Sequence, residues 1–185
     1  MMDVGEEVRD SLFTSIADDT TVSRPTASGE DVSCLQQDLN AVYAWAATSN
    51  MQFKEEKFEV LRHGHNQDIK DTTKLHTEGG QEITPQPHVK CLGVHLDENC
   101  SFQHHIGETV RKAKMITGWV LRTFTSREPE TMLILWKALV QPLLDYCSHL
   151  WSPHRRGDIQ QLEAVQRSFT RQIQGMGGFS YWERL

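Results

Sequence analysis

A single change of hydrophobic period, near residue 100, constrains this chain more than anything else in it. Before that point apolar residues fall in short alternating runs cut by Gly, Pro and Asp. After it they recur every three or four residues. Alternation suits strands and the longer period suits helices. Two periods in succession predict an α+β fold in two parts, 1–99 and 100–185. The first should form β-hairpins plus a helix, and the second should be all-helical.

In the first part, Leu12-Phe13 and Val22 flank a polar centre, Ala17-Asp18-Asp19-Thr20. This reads as a hairpin with the Asp pair at its turn, ended by turn residues from Pro25 to Gly29. Leu35, Leu39, Val42, Tyr43 and Ala46 then share one face of a helix over residues 31–48, with Trp45 at its edge. Ser28 and Asp31 are its candidate N-caps and Ser49-Asn50 suits its exit. Short strands are expected at Met51 to Phe53 and at Phe58 to Leu61. Lys74-Leu75-His76 and Gln81-Glu82-Ile83 flank Gly79-Gly80 as a second hairpin, and Val89, Leu92, Val94 and Leu96 mark one further strand.

In the second part, helices are expected over residues 101–122, 128–150 and 158–174. Ser101 and Asp158 are candidate N-caps, Asp158 with Gln161 three residues on, and Gly175 follows the last helix. Met132, Leu135, Trp136, Leu139 and Val140 form one apolar face; Leu162, Val165, Phe169 and Ile173 form another. Pro142 should kink or break the middle helix, because it lacks the amide that a helix interior needs.

Charge divides the same way. The net charge of −6 argues against a protein that simply coats nucleic acid. It conceals 8 Lys/Arg against 18 Asp/Glu in residues 1–100, and 11 against 7 in residues 101–185. No run reaches the ~18 apolar residues of a membrane span. The acidic start, Met1 to Glu7, lacks a signal peptide's basic opening. Cys34, Cys91, Cys100 and Cys147 are scattered, which reads as reduced thiols in an intracellular protein, nuclear or cytoplasmic.

Four groups of residues carry candidate chemistry. Adjacent carboxylates at Asp18 and Asp19 could hold a divalent metal, or could be there only because Asp favours turns. Cys91 with His95, and Cys100 with His104 or His105, give two Cys-x₃-His pairs that zinc would accept, although Cys91 also suits a buried strand. Cys147 and His149 stand too close along a helix to face each other as a nucleophilic pair, so Cys147 reads as core. Arg111, Lys112, Lys114, Arg122, Arg127, Lys137, Arg155, Arg156, Arg167 and Arg171 accompany Trp119, Trp136 and Trp151. Such a set could track phosphates and stack bases, or could be a solvated surface with Trp136 in the core.

The ordered series is more specific than any member of it. Ile16-Ala17-Asp18-Asp19-Thr20 precedes a helix with Leu35-Gln36-Gln37-Asp38-Leu39 and Trp45-Ala46. Met51 to Lys57, Glu59-Val60-Leu61, Leu92-Gly93-Val94, Phe102, His105-Ile106 and Lys112-Ala113 follow. Leu135-Trp136-Lys137, Leu144-Asp145-Tyr146-Cys147-Ser148, Leu150-Trp151-Ser152-Pro153, Leu162-Glu163 and Val165-Gln166-Arg167 complete it. The series resembles, over nearly the whole chain, the second half of the polymerase domain of reverse transcriptases from non-LTR (LINE-type) retrotransposons.

The resemblance implies a partial palm in residues 1–99 and a helical thumb in residues 100–185. It implies Asp18 and Asp19 as Mg²⁺ ligands, with the ions activating a primer 3′-hydroxyl and neutralising a dNTP triphosphate. Lys57 would be the proton donor to departing pyrophosphate. Arg111, Lys112, Lys114, Arg122, Arg155, Arg156, Arg167 and Arg171 would hold an RNA template–DNA primer duplex. The family's aromatic residue ahead of the Asp pair is Ile16 here, and its usual Asn and Cys are Lys54 and Phe58. Nothing matches the upstream strand that supplies a further metal-binding Asp, since neither Asp3 nor Asp10 sits in a strand-like run. The chain is therefore expected to be inactive alone, with a domesticated non-catalytic module that binds nucleic acid or protein as the alternative.

Overall fold

In the computed structural model the chain is described at residues 8, 11–16, 19–64 and 67–184. Its architecture is mixed α+β, with two small two-stranded sheets and the rest helix and loop. Two compact units divide it, one made of residues 1–93 and 97–100, the other of 94–96 and 101–185. Among the described residues no helix is long and apolar enough to cross a membrane.

The first unit opens on an antiparallel hairpin, β1 (Leu12–Ile16) and β2 (Asp19–Ser23), in register from Leu12 opposite Ser23 to Ile16 opposite Asp19. Helix α1 (Gly29–Thr48) follows. Of its two candidate caps, Ser28 is the N-cap and Asp31 completes a capping box. The Asp31 amide donates to Ser28 Oγ at 3.4 Å, and Asp31 Oδ2 accepts from the Ser28 amide at 2.9 Å. Hydrogen bonds donated by the Ala27 amide, the largest cause, and by the Ser28 hydroxyl and amide hold the Asp31 carboxyl below its usual pKa.

Val32 of α1 joins buried Leu75 and Ile83, with Leu35, Leu39, Phe58, Val60 and Ile69 packed around them. Gln36 fixes the strand-like segment alongside: its Nε2 donates to His76 O at 2.9 Å and its Oε1 accepts from the His76 amide at 2.7 Å. A short helix, α2 (Gln67–Thr72), is closed by Arg62, which donates to Lys70 O and to Thr73 O.

Several expected strands are not formed. Met51 to Phe53 is irregular chain, because the Met51 amide turns back to Ala46 O at 2.8 Å and the Phe53 ring packs edge-on against Tyr43 at 5.7 Å. The Phe58–Leu61 segment makes one bridge, Val60 to Pro85, and the Gly79-Gly80 hairpin makes one, His76 to Glu82. Phe58 stacks on Tyr43 at 5.6 Å. The single strand expected over Val89–Leu96 is two, β3 (His88–Cys91) and β4 (Val94–Asp97). Leu92 and Gly93 between them have φ of 46° and 87°. Two consecutive positive φ values define a tight hairpin turn of type I′ character, which reverses the chain where alternation alone predicts continuation.

The second unit is helical after Val94 and Leu96. Helix α3 (Gln103–Thr123) buries Ile106, Val110, Ala113, Thr117 and Val120 at spacings of three and four. Phe102, not Ser101, holds its N-cap position, at φ 54°, while Ser101 Oγ accepts from the Gln103 amide at 3.4 Å. The second block is segmented into α4 (Pro129–Leu135), a π-turn (Trp136–Val140), α5 (Gln141–Asp145) and α6 (Ser148–Trp151).

Pro142 does not break this block. The wider π-turn, with the Gln141 amide bonding to Trp136 O, admits the proline, and the helix runs on to Asp145. The real interruption is at Cys147, with φ 51°. Helix α7 (Arg156–Thr170) starts earlier than expected, so Asp158 lies inside the first turn rather than at the cap, and the helix ends before Gly175. Two clusters make the core: Val94, Ile106, Val110, Ala113, Val140, Trp151 and Val165 in one, and Val120, Met132 and Phe169 in the other.

Candidate metal centre and nucleic-acid interface

Asp18 lies outside the described residues. Asp19 is the first residue of β2, exposed to solvent and opposite Ile16, so it belongs to the strand rather than to a turn centre. Lys57 ends an exposed 3₁₀ turn, Glu55–Lys57. Among the described residues no ion pair joins Lys57 to Asp19, and no group of three His, Cys, Asp or Glu is arranged to hold a metal. Magnesium needs oxygen ligands in a near-octahedral set. Of the two expected Mg²⁺ ligands only Asp19 is described, and among the described residues no group of three donors supplies such a set.

The cysteine–histidine pairs do not converge either. Cys100 Sγ stands 3.6 Å from His63 Nδ1, which also meets Glu98 O at 3.3 Å. In the helical unit the His95 and His104 rings meet edge to face at 4.9 Å, and His105 Nδ1 accepts from the His95 amide at 3.3 Å. His105 is also packed edge-on against the buried Trp151. Burial first, and then the positive neighbours His95, Lys112 and His104, push its pKa down from 6.5. These histidines are packing groups, and among the described residues no three donors form a zinc site. Cys147 is half-buried against the core, consistent with its reading as a core residue.

The basic residues are arranged on helix faces. Opposite its buried stripe, α3 turns Arg111, Lys114, Met115, Trp119 and Arg122 to solvent, with Lys112 half-buried at the margin. Helix α7 buries Val165 and Phe169 and exposes Arg156, Arg167 and Arg171, with Arg155 exposed at its N-cap. Arg111 is engaged by Glu108 through two bonds of 3.1 and 2.8 Å, which lowers the pKa of the glutamate and raises that of the arginine. Arg167 meets Glu163 at 3.4 Å. Among the described residues Lys112, Lys114, Arg122, Arg155, Arg156 and Arg171 make no ion pair.

Other expected contributors are used elsewhere. Arg127 donates to Leu121 O, Phe124 O and Ser126 O, satisfying carbonyls at the end of α3. Trp136 packs on Phe169 at 5.0 Å, and the buried Trp151 donates Nε1–H to Tyr146 O at 2.8 Å. Of the three tryptophans named with the basic set, only Trp119, 47% exposed, presents its ring to solvent. The alternation Phe179-x-Tyr181-Trp182-x-Arg184 was not singled out by sequence; its aromatic–basic pattern after Gly177-Gly178 was the available signal. Comparison of the chain with protein-family models, with curated proteins and with solved structures finds no match.

Proposed function

We infer that this chain is a palm-and-thumb piece of an RNA-directed DNA polymerase of the LINE type, with its helical part serving as a grip on a template–primer duplex. The observation that carries the reading is the solvent face of α3, where Arg111, Lys114 and Arg122 flank exposed Met115 and Trp119. Helix α7 adds Arg156, with Arg155 at its N-cap. Cations without acidic partners gain most from phosphate, because duplex binding releases condensed counterions. The hairpin bearing Asp19, followed by α1, agrees with the family's order of elements.

Catalysis by the chain alone is not expected. Nucleotidyl transfer rests on positioning and metal electrostatics, and nothing in the sequence matches the strand that supplies the family's further metal-binding Asp. A non-catalytic nucleic-acid-binding role is the second reading, supported by the cationic face of α3 alone. Two measurements test the pair. Primer extension on a homopolymer RNA template with Mg²⁺ should yield no product; synthesis lost in Asp19→Ala would overturn the inactive reading. Binding of an RNA–DNA hybrid should weaken with salt at a log–log slope of about −4 to −5, from roughly five phosphate contacts at −0.9 each. Absence of binding at low salt would remove both readings.

A further inference from the structure

The end of the described chain folds back beside α7 into a cavity of about 470 Å³, within the usual range for small-ligand sites. Arg167, Arg171 and Arg184 line it together with Phe179, Tyr181 and Trp182, and among the described residues no carboxylate does. The Arg167 guanidinium lies over the Tyr181 ring, 4.5 Å from its centroid, and the Tyr181 and Trp182 rings meet at 5.4 Å. Glu163 pairs with the lining Arg167 at 3.4 Å, which leaves Arg171 and Arg184 as the cations without an ion pair among the described residues. Glu183 accepts the Ser180 amide at 2.7 Å.

The platform is built by its own hydrogen bonds. The Phe179 amide bonds to Met176 O, the Glu183 amide to Ser180 O and the Arg184 amide to Tyr181 O. Arg184 Nη1 donates to Phe179 O at 2.6 Å, while its Nε is buried with no partner among the described residues. A buried guanidinium N–H without an acceptor is costly to leave unpaired. Against those cations stand two apolar rings in water, Trp182 at 75% and Phe179 at 51% exposure.

We propose that this pocket is a site for a single-stranded segment of nucleic acid, whose base stacks on Trp182 and Phe179 and whose phosphate meets Arg171 and Arg184. Flat exposed rings beside guanidinium groups match an unpaired nucleotide, which offers a free π-face next to a charge. A duplex does not, because the faces of its bases are already stacked. An acidic peptide would satisfy the arginines and leave the rings in water. The site lies outside the α3 face assigned above to duplex, and it stands whether or not the chain derives from a polymerase.

The test uses the full chain and fluorescently labelled oligo(dT), oligo(U), a blunt RNA–DNA hybrid of equal length, and polyglutamate. Trp182→Ala, which removes a surface ring and should leave the circular dichroism spectrum unchanged, is expected to weaken single-strand binding about tenfold or more. Hybrid binding should stay within about twofold, and Trp182→Phe should restore most of the loss. Phe179→Ala should act in the same direction. Unchanged single-strand affinity in the Trp182→Ala, Phe179→Ala double variant overturns the proposal. So does polyglutamate competing as well as oligo(dT), which would mark an acidic-peptide site. Lys114→Ala with Arg122→Ala probes the duplex face separately: loss of hybrid binding there with oligo(dT) binding intact supports two distinct sites.

Discussion

Replacing Phe169 with alanine should remove most of what holds α7 in the helical unit. Phe169 is 1% exposed, its ring is 5.0 Å from that of Trp136, and it shares a cluster with the buried Val120 and Met132. The hole would be walled by α3, α4 and the π-turn, none of which can collapse into it without breaking its own packing. Deleting a buried Phe side chain costs about 3–5 kcal/mol, the upper half applying where the walls are rigid. Set against the roughly 5–15 kcal/mol that stabilises an ordinary domain, that is a large share. For a unit of this size each kcal/mol moves the midpoint by about 4–8 °C, so the melting temperature should fall by at least about 12 °C. Urea denaturation read by tryptophan fluorescence is a direct assay, because Trp136 sits against the deleted ring. A loss below about 1 kcal/mol with an unchanged urea dependence would refute the reasoning, showing that Phe169 does not fasten α7. Phe169→Leu, which leaves a smaller hole, should cost less than half as much.

Other perturbations read other parts of the fold. Ser28→Ala removes the acceptor of the capping box at the start of α1 and should cost about 1 kcal/mol in urea denaturation, whereas Ser28→Asn should be nearly neutral. His105 has its pKa lowered from 6.5 in the folded state, so the folded chain takes up this proton less readily than the unfolded chain. Its contribution to stability is complete above pH 6.5 and is lost as the pH falls below that value. Protonation would also end its acceptance of the His95 amide. His105→Asn should flatten the decline in melting temperature between pH 7.5 and 5.5, and an equal decline in that variant would show that other groups govern it. Gly93→Ala, at φ 87°, should destabilise the β3–β4 turn by about 1–2 kcal/mol, read as a lower urea midpoint.

How much of this was legible in sequence depends on whether the signal was local. Helix α1 was readable, because a 3.6-residue apolar period and a Ser28/Asp31 start are both short-range features. The β1–β2 hairpin was readable for the same reason. The β3–β4 turn was not, since leucine at positive φ contradicts its own preference and only Gly93 hinted at a reversal. The π-turn before Pro142 shows another limit: the proline was expected to kink or break the helix, and which of the two could not be read locally, because the helix runs on past it by widening. At the candidate interface, residue type was a poor guide to use. Arg127 and Arg171 look alike in sequence, yet one is bound to helix carbonyls and the other is exposed. The pocket of Arg171, Tyr181 and Arg184 depends on a tertiary return of the chain, which no local period encodes.

Electrostatic attraction and apolar contact on α3 separate experimentally, because salt weakens only the first. The cations Lys114 and Arg122 act through counterion release, so each substitution by alanine should shallow the log–log salt slope for an RNA–DNA hybrid by about 1. Their effect should vanish on extrapolation to 1 M salt. Trp119 carries no charge, and its exposed ring can contribute only through apolar or stacking contact. Trp119→Ala should therefore leave the slope alone and lower the 1 M intercept, by about 1 kcal/mol for lost apolar contact with the duplex. The two perturbations touch one helix face without sharing a mechanism, so their effects should add. A basic surface that is merely solvated gives neither signature. A Trp119→Ala variant that changed the slope while sparing the intercept would mean the ring positions cations rather than meeting the ligand. The assignment of the α3 face as a mixed ionic and apolar surface would then fail, even if the chain bound nucleic acid.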